Sequence, residues 1–231
     1  IRRVVNQEIK YGPESRGVMG NAQTPVLSLP NLYYFSRCTW DPQALNLNDQ
    51  QILHEFAEFL GGSPEILTSA WSCLNPGITH IDQDLPARLR ESELTSESAS
   101  FIPGSPNRYL DTLAQMVETR SIVLNRCSEK PAGHLDAARR IADCIKALFH
   151  WWTLHKYVFS GEHKKTFDWA YTSPYFLIPL ISYIQTNHLL NEKVCDLTGE
   201  IIRKENILPE NEISPLLDPL FKGEVQAWFP E

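Results

Sequence analysis

The chain has 231 residues, of which 42% are hydrophobic, 21% charged and 10% aromatic, and its formal net charge is −7. That length admits one large domain or two small ones, and the composition is that of an ordinary globular protein. The negative balance excludes the basic footprint of a nucleic-acid binder, and His163-Lys164-Lys165 is too short a cluster to restore it.

The opening Ile1-Arg2-Arg3 carries neither an initiator Met nor a signal peptide, so the sequence reads as processed or as a piece of something longer. Tyr11 to Pro25 is loop-like, punctuated by Gly12, Pro13, Gly17 and Gly20. From Leu27 onward the signals are helical. Asn31 to Trp40 reads as an aromatic helix stopped by Trp40-Asp41-Pro42. Asn48, with Gln51 three positions on, predicts a capped helix carrying Ile52, Leu53, Phe56, Phe59 and Leu60, ended by Gly61-Gly62. Ser63-Pro64 starts another, with Leu67, Ala70, Trp71 and Leu74 on one face and Asn75-Pro76-Gly77 as its stop.

Residues 76–105 lack a clear period and are rich in Ser and Glu, which predicts a surface excursion or internal linker. Ser105-Pro106 then opens a long helix with Leu110, Leu113, Val117 and Leu124 on one side. A second runs from after Pro131 through Ile141, Ile145, Leu148, Trp152 and Phe159, and the pair should form an antiparallel hairpin. A short helix over Thr166–Ala170, one from Ser173-Pro174 interrupted at Pro179, and one from Val194 to Arg203 follow. The last segment, with Pro209, Pro215, Pro219 and Pro230, predicts loop with one or two short turns. Neither a strand pattern nor a fixed-period repeat is visible. The expected fold is mainly α, a multi-helix orthogonal or antiparallel bundle with an irregular N-terminal segment. The expected division is 1–45 for that segment and first helix, and 46–231 for the helical domain.

No segment reaches membrane-spanning length. Tyr175 to Leu190 falls short of the roughly 20 apolar residues needed and includes Pro179, Gln185, Asn187 and His188. Cys38, Cys73, Cys127, Cys144 and Cys195 are widely spaced without a C-x-x-C pair, which favours buried free thiols over a disulfide framework or a zinc site. His54-Glu55-Phe56-Ala57-Glu58 begins like a zinc-protease helix but has Glu58 where the second His belongs, so His54 and Glu58 read as an exposed pair. On the His150-Trp151-Trp152 helix, successive side chains diverge by about 100°. Trp152 therefore continues the apolar stripe, while Trp151 faces a second helix layer, a partner or a sugar ring. His150 and His155 do not converge on one ligand. Asp82, Asp84, Glu91, Glu93 and Glu97 lie in polar sequence and read as solvated charge rather than a catalytic pair. The binding candidates are Asn21, Gln23, Arg37 and Trp40, whose amide, guanidinium and indole groups suit sugar hydroxyls and ring faces. Neither a catalytic residue nor a metal or cofactor site is assigned.

Asn31-Leu32-Tyr33, Trp40-Asp41-Pro42 and the helix opened by Asn48-Asp49 together resemble the junction between barrel and C-terminal helical region in α-glucuronidase-like glycoside hydrolases. The resemblance spans Leu29 to Ala57. It implies a parent enzyme of polysaccharide degradation whose catalytic acids lie upstream of Ile1. This chain would then brace that barrel, add substrate contacts and form a homodimer, with an oligosaccharide as ligand and neither nucleic acid nor membrane as partner. The alternative is a stand-alone helical interaction module, with docking patches around Trp151 and Tyr175–Ile184. A third reading is a small helical enzyme built on His150, His155 and nearby acids.

Overall fold

The structure, a computed structural model, describes residues 25–73, 77–102, 104–160 and 174–224. Every regular element among them is helical, so the fold is mainly α. The irregular segment before Pro25 and the Thr166–Ala170 helix lie outside the described residues. The chain divides into two compact units. One comprises residues up to Cys73 together with Asp84–Ala114, and the other Leu74–Gln83 together with Gln115 onward. The expected division at 45/46 falls inside the first.

The first unit contains α1 (Pro25–Trp40), a 3-10 turn (Pro42–Asn46), α2 (Asp49–Phe59), α3 (Pro64–Ser72), α4 (Leu85–Glu91), a second 3-10 turn (Glu97–Phe101) and the start of α5 (Pro106–Cys127). The Trp-Asp-Pro stop works through Asp41, which is extended (φ −135°, ψ 98°) as a residue before proline must be. Its Oδ1 accepts from the Gln43 N–H at 3.0 Å. At α2 the capping box is complete: Gln51 N–H donates to Asn48 Oδ1 at 2.9 Å, and Asn48 N–H donates to Gln51 Oε1 at 2.8 Å. Gly61, at φ +69°, turns the chain into α3, where Ser63 is the cap and Pro64 opens the helix.

Aromatic rings fill the space between α1, α2 and α3. Phe56 lies between Tyr33 and Trp71, with centroids 4.8 and 4.9 Å away, and both pairs are stacked. The Trp71 Nε1–H donates to the Tyr109 hydroxyl at 2.8 Å, tying the start of α5 into this stack.

The described part of the expected surface excursion, residues 77–102 and 104–105, carries buried anchors among its exposed residues. Ile81, Leu85, Leu89, Ala99 and Ile102 are all buried, and α4 packs on α3. Beyond α4, the chain crosses the α2–α3 turn, where Thr95 and Ser96 N–H donate to the Gly61 and Leu60 carbonyls at 3.2 and 3.3 Å. Polar composition concealed this, because one buried residue per turn suffices for so short a helix.

The second unit contains the rest of α5, α6 (His134–Ser160), α7 (Pro174–Thr186), α8 (Glu192–Lys204) and α9 (Glu210–Phe221). The end of α5 runs antiparallel to α6, as the short connection predicts. Arg126 pairs with Asp143 at 3.0 Å, while Ile122, one turn earlier, lies beside Phe149 and His150 further along α6. Trp151 is wholly buried with its ring 4.8 Å from Phe176 of α7, and Trp152 stacks on Phe149 at 5.9 Å. Trp151 therefore faces a second helix layer.

Within the proline-rich end, Glu210–Phe221 is helix rather than loop, while Pro230 lies outside the described residues. Pro215 and Pro219 lie within α9, whose Ile213, Leu216, Leu217 and Leu220 are buried. An interior proline costs about 3 kcal/mol, whereas each buried aliphatic contributes about 1.5–3 kcal/mol, so four of them match or exceed the cost of two prolines.

Candidate functional site

Two helices of the first unit, α2 and α3, line a cleft. The polar face of α2 presents Gln50, His54 and Glu55, and α3 answers with Glu65, Ser69 and Ser72 across about 850 Å³. The spacing 65, 68, 69, 72 is one stripe of a helix opposite the buried Leu67, Ala70 and Trp71, so burying the apolar stripe sets this face outward. Gln50 Nε2 donates to Ser72 Oγ at 3.2 Å, bridging the two walls. Thr68 also lines the cleft, and its buried hydroxyl has no hydrogen-bond partner among the described residues.

At one wall the last turn of α1 joins in. Arg37 Nη1 donates to Asp41 Oδ2 at 2.8 Å and its Nε to Glu55 Oε2 at 3.4 Å. The Arg37 hydrogen bond, reinforced by the Gln43 N–H, holds the Asp41 carboxyl below the usual carboxylate range. The Arg37 guanidinium is raised in turn, first by its bond to Asp41. Burial raises the Tyr33 phenol, and the Glu55 charge adds to the effect. One cation against two carboxylates leaves this corner acidic, rich in acceptors for hydroxyl donors. Three residues along α1 from Arg37, Trp40 stands 89% exposed.

Of the sequence candidates, Arg37 sits at this cleft through Glu55 and Trp40 at the same end of α1, while Asn21 and Gln23 lie outside the described residues. Sequence reasoning missed Gln50, Glu55 and the α3 wall. Their signal was present as the polar complement of two apolar stripes, and nothing in either helix alone marked the two faces as opposed. His54 and Glu58 form the expected exposed pair, 3.5 Å apart.

A second cleft, of about 630 Å³, lies in the second unit between the end of α5, α6 and the turn after α8. It brings His150 together with Arg126, Asp143, Lys146 and Glu205. The side chain of His155 is outside the described set. Asp143 is paired with Arg126, and Glu205 with Arg139 of α6, which raises the guanidinium and lowers the carboxyl. These carboxylates are held as ion-pair acceptors. Asp82, Asp84, Glu91, Glu93 and Glu97 are exposed. Among the described residues, no group of His, Cys, Asp and Glu side chains has the arrangement of a metal site, and no helix is long and apolar enough to cross a membrane. Of the residues expected at docking patches around Trp151 and Tyr175–Ile184, Trp151, Phe176, Leu177, Leu180, Tyr183 and Ile184 are buried.

Among the described residues the architecture is mainly α, with hydroxyl and carboxylate side chains among those lining the α2–α3 cleft. Compared with family models, curated proteins and solved structures, the chain matches none of them.

Proposed function

We propose that this chain is a non-catalytic helical module of a carbohydrate-active enzyme, and that its α2–α3 cleft and Trp40 bind a polysaccharide-derived oligosaccharide. The observation that carries the reading is the exposed Trp40 indole three residues along α1 from Arg37, whose guanidinium bonds Glu55 in the lining of the α2–α3 cleft. An indole face stacks on a sugar ring, and amides, hydroxyls and carboxylates accept or donate to its hydroxyls. Because Arg37 is already shared by two carboxylates, a free uronate would meet net negative charge there. The bound stretch is therefore neutral sugar. In the parent enzyme the module braces an upstream catalytic barrel and supports a homodimer.

Calorimetric titration of the 231-residue chain with neutral xylo-oligosaccharides and their glucuronate-substituted counterparts tests this. Saturable binding of the neutral series, weakened about tenfold by Trp40→Ala, is expected; that loss corresponds to ~1.4 kcal/mol, the scale of one aromatic face. Aryl glycosides and aldobiouronic acids should not be turned over. Absence of binding, or turnover abolished by Glu55→Gln, overturns the proposal.

A second reading is favoured by Phe101, 84% exposed on the same unit as Trp40. Two such rings also suit a protein surface. Self-association lost in a Phe101→Ser variant that still ignores sugars selects it.

A further inference from the structure

We propose that Cys127 and Cys144 are a redox-active dithiol, oxidised to an intramolecular disulfide by a small-molecule disulfide such as oxidised glutathione. The two sulfurs lie 3.8 Å apart, in contact but unbonded. Disulfide formation needs them at about 2.05 Å, a closure of under 2 Å. Cys127 is the last residue of α5, where the backbone is least restrained by helical hydrogen bonds, so the movement falls where the chain yields most easily. Next to each sulfur the helices are already pinned, because Arg126 donates to Asp143 at 3.0 Å.

Access divides the labour between the two thiols. Cys127 is half-buried and Cys144 has no exposed surface. The contact with Cys127 and the loss of water raise the Cys144 thiol well above the usual cysteine range. A thiol held in that form is a poor first nucleophile, so the oxidant meets Cys127. The Cys127 thiol releases its proton to solvent and its thiolate attacks one glutathione sulfur. The S–S bond of the oxidant breaks, and one glutathione leaves as thiolate and takes up a proton. Cys144 then gives its proton to the departing second glutathione as its sulfur bonds to Cys127 Sγ and breaks the mixed disulfide. In sum, two protein thiols lose two electrons and two protons, and one oxidised glutathione becomes two reduced ones. The product ties the end of α5 to the middle of α6.

The test equilibrates the full 231-residue chain in glutathione buffers of graded redox ratio, traps remaining thiols by alkylation and maps the peptides by mass spectrometry. The wild type is expected to lose two alkylatable thiols together and to yield one cross-linked Cys127–Cys144 peptide. Cys144→Ala should instead accumulate glutathione on Cys127, and Cys127→Ser should give neither product. Alkylation of both cysteines as thiols across the whole series overturns the proposal, as does a wild type that stops at the mixed disulfide. If Cys144→Ala does not fold, the wild-type peptide map decides alone.

Discussion

Trp71 and Tyr109 show how much one buried contact carries. Each side chain is almost wholly enclosed, and the indole N–H has the phenol oxygen 2.8 Å away. Tyr109→Phe removes that acceptor and leaves a buried donor with no water to turn to, a cost of about 1–3 kcal/mol. Urea unfolding should register this as a lower midpoint at unchanged slope, and an unaltered midpoint would mean that the indole finds another acceptor. The same enclosure makes stability sensitive to alkali. Burial holds the Tyr109 proton above the ordinary tyrosine range and pushes Tyr183 up to about 12. In the unfolded chain both phenols ionise near pH 10, so above about that pH the folded protein binds more protons than the unfolded one. The stabilisation is complete below about pH 10 and is lost as pH climbs toward the folded-state values. Urea midpoints at about pH 8 and pH 11 should therefore differ, the higher pH giving the lower midpoint, with a smaller difference in Tyr109→Phe. Equal midpoints would contradict the assignment.

At the scale of the element, the turn between α2 and α3 explains both a success and a failure of the sequence. The capping box of Asn48 and Gln51, the Gly61-Gly62 stop and the Ser63-Pro64 start are local chemistry, so they were legible without knowing what the helices touch. The strand of chain that crosses them was not. A Cβ built on Gly61 would lie 2.4 Å from the Ser96 nitrogen and 2.8 Å from Thr95 Oγ1, and the residue is already at φ +69°. Gly61→Ala thus meets backbone it cannot push aside in a conformation that favours glycine. Strain at such a position costs on the order of 1–3 kcal/mol before the clash is added. Asn48→Ala, losing only a cap, should cost about 1 kcal/mol. Thermal unfolding of the two variants should rank them in that order, and a Gly61→Ala protein as stable as Asn48→Ala would show that residues 95–96 are not held against the turn. The α9 helix failed in the opposite way. Its i, i+3, i+4, i+7 stripe of Ile213, Leu216, Leu217 and Leu220 was in the sequence, but two prolines argued louder than a periodicity whose worth depends on α8 being there to bury it. The α2–α3 cleft was hidden for a related reason: Arg37 could be picked out as a lone guanidinium beside an indole, but Glu55 became its partner only through packing.

Across the whole molecule, composition and helical period were enough for the fold class, and the division of the chain was not, since α5 is a single uninterrupted helix shared between the units. Nothing in its sequence changes at Ala114; what changes is which neighbours its residues meet. If each unit is a cooperative block, damage in one should stay there. Leu217→Ala provides the test. The side chain is buried on α9, and its truncation should cost about 2–5 kcal/mol with the cavity included. Native-state amide exchange should then speed up through α6, α8 and α9, whose packing defines the second unit, while α2, α3 and α4 keep their wild-type protection. Tyr109→Phe should produce the reciprocal pattern, with α2 to α4 accelerated and α8 and α9 unchanged. Uniform acceleration in either variant would mean that α5 transmits the loss from end to end and that the molecule opens as a single block.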